Sequence, residues 1–161
     1  MKSLRILVLL ILTVGFVAMS ATPASALGIF AQWQDAKDTD GAFGLGLKHE
    51  FSIVPIVGIE ARVSYLRYTE DDGANMFPLE AFGKLKLGLF YGGLGLGYYV
   101  FSGDNTPDNE IGGFVAGGVS FGLGGLGAFA ELRYLALKPT VGSIEFDLSG
   151  FGINAGVTLP I

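Results

Sequence analysis

The chain has 161 residues, a formal net charge of −5, no cysteine and 26 glycines. Without cysteine, the protein has no disulfide, thiolate metal site, cysteine nucleophile or lipid-modified N-terminal cysteine. The acidic balance argues against a nucleic-acid partner, and the high glycine content lowers helix propensity along the whole chain.

The N-terminus has the organisation of a secretory signal peptide. Two basic residues lie within the first five positions, residues 6–19 are apolar, and a small-x-small cleavage motif ends at Ala26. An apolar run of about 14 residues is shorter than the roughly 20 that cross a bilayer as a helix, which disfavours a retained membrane anchor. We predict a signal peptide over residues 1–26 and one domain over residues 27–161.

Beyond residue 26 the sequence predicts strands. Apolar and polar residues alternate in segments separated by turn residues, and the charged side chains of each segment share one phase of the alternation. Because successive strand side chains point to opposite faces, one face of each strand is apolar and the other carries its charges. Eight strands are predicted, over Gly28–Gln34, Ala42–Phe51, Val57–Tyr68, Phe77–Gly88, Gly93–Phe101, Gly112–Phe121, Leu126–Leu137 and Ser149–Leu159.

The connections between these strands fall into two classes that alternate along the chain. Short connections with almost no charge are found at Ser52–Ile56, Leu89–Gly92 and Gly122–Gly125. Longer, acidic connections are found at Asp35–Asp40, Thr69–Met76, Ser102–Glu110 and Lys138–Leu148. Strict alternation brings every acidic loop to one end of an up-and-down structure, and short periplasmic turns with longer external loops are typical of outer-membrane barrels.

Aromatic residues mark the same end of the predicted barrel. The apolar phase ends in an aromatic ring just before each acidic loop, at Trp33, Tyr65, Tyr98 and Tyr134. At the opposite end, Phe51 and Phe121 stand on the apolar phase before two of the short turns. Aromatic girdles flank the lipid-facing band of membrane barrels at both interfaces, so we predict that these two sets form the two girdles.

A soluble calyx with an apolar interior would show the same alternation. Its polar face would then be the exterior, which in soluble proteins is rich in charged residues. The polar face of this chain is instead rich in glycine, at positions such as Gly44, Gly46, Gly95 and Gly97. This composition favours the membrane interpretation, in which the glycines face a narrow lumen.

Charged side chains on the inward phase form the candidate functional site. The turn between the second and third strands predicts that Lys48 lies opposite Glu60. Arg62 and Glu131 each lie three residues before a girdle tyrosine on opposed strands, which predicts a salt bridge across the lumen. The predicted lumen charge network comprises Lys48, Glu60, Arg62, Glu80, Lys84, Lys86, Glu131 and Arg133, with Glu50 on the same phase. Two interpretations stay open: a salt-bridged core that fills the barrel, and a gated path for ions or solutes.

We predict no catalytic, cofactor or metal site. His49 is the only histidine, on the outward phase near the inner end of its strand, while Ser52, the nearest candidate nucleophile, falls in a turn. The acidic loops carry carboxylates, which are ligands for hard cations, but their order does not match an EF-hand. Weak Ca²⁺ or Mg²⁺ bridging to lipopolysaccharide stays a minor alternative.

The C-terminal segment carries the most specific resemblance. From Asn154 to Ile161 it has a polar residue, a glycine two positions later, and hydrophobic residues at alternating positions. On this segment and the barrel pattern the chain resembles the small eight-stranded outer-membrane barrels of the OmpA/OmpX type. Leu159 and Ile161 replace the aromatic residues usual at the end of that signal, and Pro160 lies between them.

The resemblance implies an all-β, eight-stranded antiparallel up-and-down transmembrane β-barrel that the barrel-assembly machinery inserts. We expect a monomeric protein of the bacterial outer membrane, exported by its signal peptide, whose partners are outer-membrane lipid and lipopolysaccharide. A structural or surface-interaction role without enzymatic activity is the favoured function. The alternatives are a narrow conduit for small or hydrophobic solutes and a barrel enzyme that modifies lipid A.

Overall fold

The computed structural model describes residues 25–37, 41–69, 74–103, 106–123, 125–141, 144–145 and 147–161. Apart from its last two residues, the predicted signal peptide lies outside the described residues. Within these ranges there is no helix that is long and apolar enough to cross a membrane.

Eight strands form one closed antiparallel barrel, which confirms the predicted fold class. They are β1 Ser25–Gln34, β2 Ala42–Val54, β3 Val57–Tyr68, β4 Asn75–Leu87, β5 Phe90–Ser102, β6 Glu110–Leu123, β7 Leu126–Ala136 and β10 Gly150–Pro160. Two further short strands, β8 Thr140–Val141 and β9 Ile144–Glu145, pair with each other in the loop between β7 and β10. β1 closes the cylinder against β10, so every barrel strand has a hydrogen-bonded neighbour on both sides and no edge is left open. We call the two ends of the barrel the loop end, where the acidic connections lie, and the turn end.

The turns are tighter than the sequence predicts. β2 continues through Ile53 and Val54 because β-branched residues favour the extended ladder, which leaves only Pro55 and Ile56 as the turn to β3. At the next turn, between β4 and β5, Gly88 has a φ of 65°, a left-handed conformation that favours glycine.

This tighter turn shifts the β2/β3 register by two residues from the predicted one. Lys48 lies opposite Arg62, and Glu50 lies opposite Glu60, so the prediction that Lys48 directly faces Glu60 is wrong. A shift of two keeps each side chain on its predicted face, because strand side chains alternate with a period of two.

The two faces of the barrel differ sharply in polarity. On β3, Ile59, Val63 and Tyr65 are 42% to 46% exposed on the outside, whereas Glu60 and Arg62 are buried in the lumen. Among the described residues, the outer face between the aromatic rings of the loop end and the turns carries no Asp, Glu, Lys or Arg. An apolar exterior around a polar lumen is the arrangement of a transmembrane barrel.

The lumen is filled in two different ways along its length. Inward glycines make room for aromatic rings in its middle: a Cβ atom on Gly46 would overlap the ring of Phe30, and one on Gly95 would overlap Phe114. Apolar side chains fill the lumen at the loop end, and we call them the loop-end cluster: Leu66, Tyr68, Met76, Phe101, Leu135, Leu137 and Leu148. Leu148 comes from the loop between β9 and β10 and is only 3% exposed.

The face assignment predicts the effect of a charge on the outer wall. Ala61 points outward halfway along β3, so Ala61→Arg is expected to lower the unfolding free energy in lipid vesicles by about 2–4 kcal/mol, the cost of Arg near the bilayer midplane. Ala61→Leu, which stays apolar, serves as the control and should change stability little. Urea unfolding of the refolded variants in vesicles measures both values. Equal stability of the two variants would contradict the assignment.

Candidate functional site

A bidentate ion pair crosses the centre of the lumen. Arg62 on β3 donates from Nη1 to Oε1 of Glu131 and from Nη2 to Oε2, each at 2.7 Å. β7, which carries Glu131, stands directly across the barrel from β3 in the strand order. The bridge that the sequence predicts is therefore present, with its two side chains almost fully buried. Paired geometry of this kind is the strongest form of Arg–carboxylate contact.

A second ion pair lies beside the first. Arg133 on β7 donates from Nη1 to Oε2 of Glu80 at 3.0 Å and from Nη2 to Oε1 at 2.6 Å. Glu80 sits opposite Arg62 in the β3/β4 ladder, and Glu131 and Arg133 are two residues apart on β7. Positive and negative groups therefore alternate across the lumen, so each buried charge has an oppositely charged neighbour.

A third cluster extends the lumen charge network toward the turn end. Glu60 accepts from Arg62 Nε at 2.5 Å and from Lys84 Nζ at 2.9 Å, and it pairs with Lys48 Nζ at 3.2 Å. The Lys48–Glu60 ion pair thus forms on the diagonal of the β2/β3 ladder, within reach of a long side chain. Lys84 also pairs with Glu50.

The turn-end mouth of the lumen is lined by a small polar group. Lys86 donates from Nζ to Oε1 of Glu50 at 2.8 Å and to Oγ of Ser52 at 2.7 Å. The side chains of Lys86 and Glu50 are partly exposed, in contrast to the buried ion pairs above them. All eight charged residues predicted for the lumen are therefore brought into contact with at least one partner of opposite charge.

Aromatic rings complete the middle of the lumen, and sequence reasoning did not assign them there. Phe82 and Phe114 stack at a centroid distance of 5.5 Å. The guanidinium of Arg62 lies 4.6 Å from the Phe82 ring centre, and that of Arg133 lies 4.2 Å from the Phe114 ring centre. These cation–π contacts add to the carboxylate contacts of the two guanidinium groups. The alternation of β4 could have placed Phe82 in the lumen, because Phe82 lies midway between Glu80 and Lys84 on the same face of the strand.

Neutral polar side chains complete the hydrogen bonds of the two central carboxylates. Tyr91 Oη donates to Glu131 Oε2 at 3.1 Å, and Asn154 Nδ2 donates to Glu131 Oε1 at 2.9 Å. Tyr99 Oη donates to Glu80 Oε1 at 2.9 Å. Sequence analysis also missed these three residues, although each stands on the inward phase.

The loop end has a salt bridge of its own outside the barrel wall. Lys37 Nζ, in the first acidic loop, lies 3.1 Å from Oδ2 of Asp147 in the last one. Hydrogen bonds from Ser149 and then from Lys37 lower the pKa of Asp147 to about 2. Because the folded pKa lies below the ordinary value of 3.8, this contact contributes fully above pH 3.8 and is lost as the pH falls toward about 2.

The remaining predicted residues lie on the outer face or in the loops. Trp33, Tyr65, Tyr98 and Tyr134 all face outward at the loop end. His49 also faces outward, midway along β2 and not near its inner end, with its ring 4.2 Å from that of Phe51. Ser52 faces the lumen, so the structure does not bring these two side chains together. In the described ranges, no three His, Asp or Glu side chains are grouped so that they could hold a metal ion.

Comparison with protein-family models and with curated protein sequences finds no match. Solved structures match the fold. Neisserial surface protein A superposes with a TM-score of 0.64 at 13% identity, covering 86% of this chain and 99% of that one. The outer membrane protein OprG from Pseudomonas aeruginosa gives 0.60 at 15% identity, with 86% and 95% covered. A structure from the de novo design of transmembrane β-barrels gives 0.53 at 9% identity, with 88% and 98% covered.

Likeness at these identities is a likeness of fold, and it agrees with the resemblance found in the sequence. The chain has the fold of the small eight-stranded outer-membrane barrels.

The central ion pair makes a prediction about stability. Glu131→Gln removes the bidentate carboxylate and leaves the buried Arg62 with Glu60 as its remaining carboxylate partner, which is expected to lower the unfolding free energy in vesicles by up to about 3–5 kcal/mol. The double variant Arg62→Met with Glu131→Met removes both charges and should recover much of that loss. Urea unfolding of the three proteins measures these differences. A double variant no more stable than Glu131→Gln would contradict the pairing.

Proposed function

We propose that this chain is a monomeric integral protein of the bacterial outer membrane with a structural or surface-interaction role, and that its lumen is closed. The observation that carries the proposal is the bidentate bridge between Arg62 and Glu131, which joins opposite walls of the barrel. An eight-stranded barrel is only wide enough for side chains to fill it. A bridge across its full width leaves little room for a solute to pass.

The loop-end cluster and the ion pairs obstruct the lumen one after the other along its length. A solute that enters from the loop end first reaches the loop-end cluster. An ion loses its hydration water there, which is unfavourable in free energy. Further along the lumen, the solute reaches the alternating charges of the Arg62–Glu131 and Arg133–Glu80 pairs. Opening the central pair leaves Glu131 buried with only the neutral donors Tyr91 and Asn154, at a cost of up to about 3–5 kcal/mol.

A role at the cell surface is supported by the loop end. The acidic connections lie there together, and the Lys37–Asp147 bridge joins the first of them to the last. A fold neighbour is named as a surface protein, which agrees with such a role. Weak bridging by divalent cations between single carboxylates of these loops and lipopolysaccharide phosphates stays a minor alternative, since no three His, Asp or Glu side chains of the described residues are grouped to hold an ion by themselves.

The proposal includes no enzymatic activity. His49 and Ser52 lie on opposite faces of β2, and Ser52 Oγ accepts a hydrogen bond from Lys86. A nucleophile needs its general base within hydrogen-bonding distance. Mass analysis of lipid A from cells with and without the protein is expected to give identical spectra, and a mass shift dependent on the protein would favour the enzyme alternative.

A narrow conduit is the second candidate, and one observation favours it. Among the described residues, the buried oxygens Gln32 Oε1, Gln34 Oε1, Asn154 Oδ1 and Ser64 Oγ have no hydrogen-bond partner within the protein. Three of these residues stand on the adjacent strands β1 and β10. Buried polar atoms of this kind are commonly satisfied by internal water, which would give this wall of the lumen a hydrated strip.

Conductance separates the two candidates. The refolded full-length mature chain, inserted into a planar bilayer, is expected to give no discrete current steps, because the ion pairs and the loop-end cluster both stand in the path. Heat-modifiable gel mobility of the same sample confirms that the barrel is folded. Reproducible unitary steps from the folded protein would contradict the closed lumen and favour the conduit.

A further inference from the structure

The turn end of the barrel is an exposed apolar surface. Its tightest turns present large aliphatic and aromatic side chains to the outside, with relative exposures from 45% to 73%. They are Ile53, Val54 and Ile56 at the β2/β3 turn, and Leu87, Leu89 and Phe90 at the β4/β5 turn. Contiguous apolar surface of this kind marks a contact site, because exposed turns in water are ordinarily polar.

In the described part of the chain, the β2/β3 and β4/β5 turns carry no charged side chain on the outside; Ser25 and Ile161, which pair with each other at the ends of β1 and β10, lie at the same end of the barrel. The nearest ionised groups, Glu50, Lys84 and Lys86, point into the lumen and pair with one another. This surface is continuous with the apolar outer wall, since no charged residue separates the turns from the outward face of the strands. The lipid acyl chains that contact the outer wall are therefore expected to contact the turns as well.

Part of the backbone of the turn end is also hydrogen-bonded within the protein. Three carbonyl groups at this end accept hydrogen bonds from neighbouring strands: Ile56 O from Lys86 N at 2.8 Å, Leu89 O from Ser120 N at 2.7 Å, and Ser25 O from Ile161 N at 2.9 Å. A backbone polar group in contact with hydrocarbon needs a partner inside the protein, because lipid supplies none. The backbone groups of turns in water can form hydrogen bonds with the solvent instead.

The length of the strands also indicates that the turns lie at the depth of the acyl chains. On β3, Val57 is the first residue after the turn and Tyr65 is the aromatic residue of the loop-end ring, eight residues further on. At about 3.3 Å per residue and a tilt of about 40°, this separation spans roughly 20 Å along the barrel axis. The apolar band of outer-membrane barrels is about 25 Å tall. A bilayer whose outer boundary lies at the aromatic ring therefore reaches the turns.

We propose that the turn end lies within the inner leaflet of the membrane, with Ile53, Ile56, Leu89 and Phe90 in contact with phospholipid acyl chains. This inference rests on the proposed membrane location and specifies the partner of one end of the barrel. Among the described residues, the outward aromatic residues near this end are Phe51, Phe90 and Phe121, which lack the polar atom that Tyr and Trp place at an interface. The inference therefore replaces the girdle expected from Phe51 and Phe121 with contact to acyl chains.

Three tryptophan positions on or beside one strand test the depth directly. In a Trp33→Phe background, which removes the only tryptophan, the substitutions are Leu89→Trp at the turn, Leu94→Trp on the outer wall and Ser102→Trp at the loop end of β5. Each full-length mature protein is refolded into phosphatidylcholine vesicles with plain or brominated acyl chains. Tryptophan emission is then measured, with acrylamide as the aqueous quencher and gel mobility as the check of folding.

The expected result is that brominated lipid quenches Leu89→Trp and Leu94→Trp at least twofold, while acrylamide quenches mainly Ser102→Trp. If acrylamide and not brominated lipid quenches Leu89→Trp, the turn end is in water and the inference is overturned, although the membrane barrel stands. If neither agent quenches Leu89→Trp, protein covers the turn and the inference is likewise overturned. If brominated lipid fails to quench Leu94→Trp as well, the proposed membrane location itself fails.

Discussion

The ion pair between Arg62 and Glu131 is the contact on which the interior of this barrel depends. A charge removed from water is costly unless it is paired and its remaining donors and acceptors are hydrogen-bonded. Here the two central charges are shared among several partners: Glu131 accepts from Arg62, Tyr91 and Asn154, and Arg62 in turn also donates to Glu60. The lumen is polar and packed at the same time because the charged groups pair with one another, although Arg133 Nε and four buried side-chain oxygens have no hydrogen-bond partner among the described residues.

The exterior follows from the opposite requirement. Every barrel strand is hydrogen-bonded on both sides, so the wall offers no unpaired backbone to an apolar medium, and among the described residues its outward face carries no Asp, Glu, Lys or Arg between the aromatic rings of the loop end and the turns. The two ends then differ in chemistry. Acidic loops and a salt bridge between Lys37 and Asp147 mark one end, and apolar turns with satisfied carbonyls mark the other. This asymmetry supports a protein that meets water mainly at the loop end.

Sequence periodicity was sufficient to predict the barrel and its central bridge. The alternation assigns each charge to the lumen, and equal spacing of Arg62 and Glu131 from Tyr65 and Tyr134 places the two at one depth. The β2/β3 register was not predictable to the residue, because it depends on whether Ile53 and Val54 extend the strand. Phe82 and Phe114 were missed because apolar residues on a polar phase carry no charge signal. Leu148 was missed because its place in the lumen depends on how a loop folds back over the barrel.

The proposed role as a closed barrel depends most directly on contact between Arg62 and Glu131 in a bilayer. Solid-state NMR of the protein in lipid, with ¹⁵N-labelled arginine and ¹³C-labelled glutamate, measures the dipolar coupling between the guanidinium nitrogens of Arg62 and the carboxyl carbon of Glu131. The N–O distances of 2.7 Å predict a strong coupling that disappears in Glu131→Gln. A wild-type protein without that coupling would contradict the account.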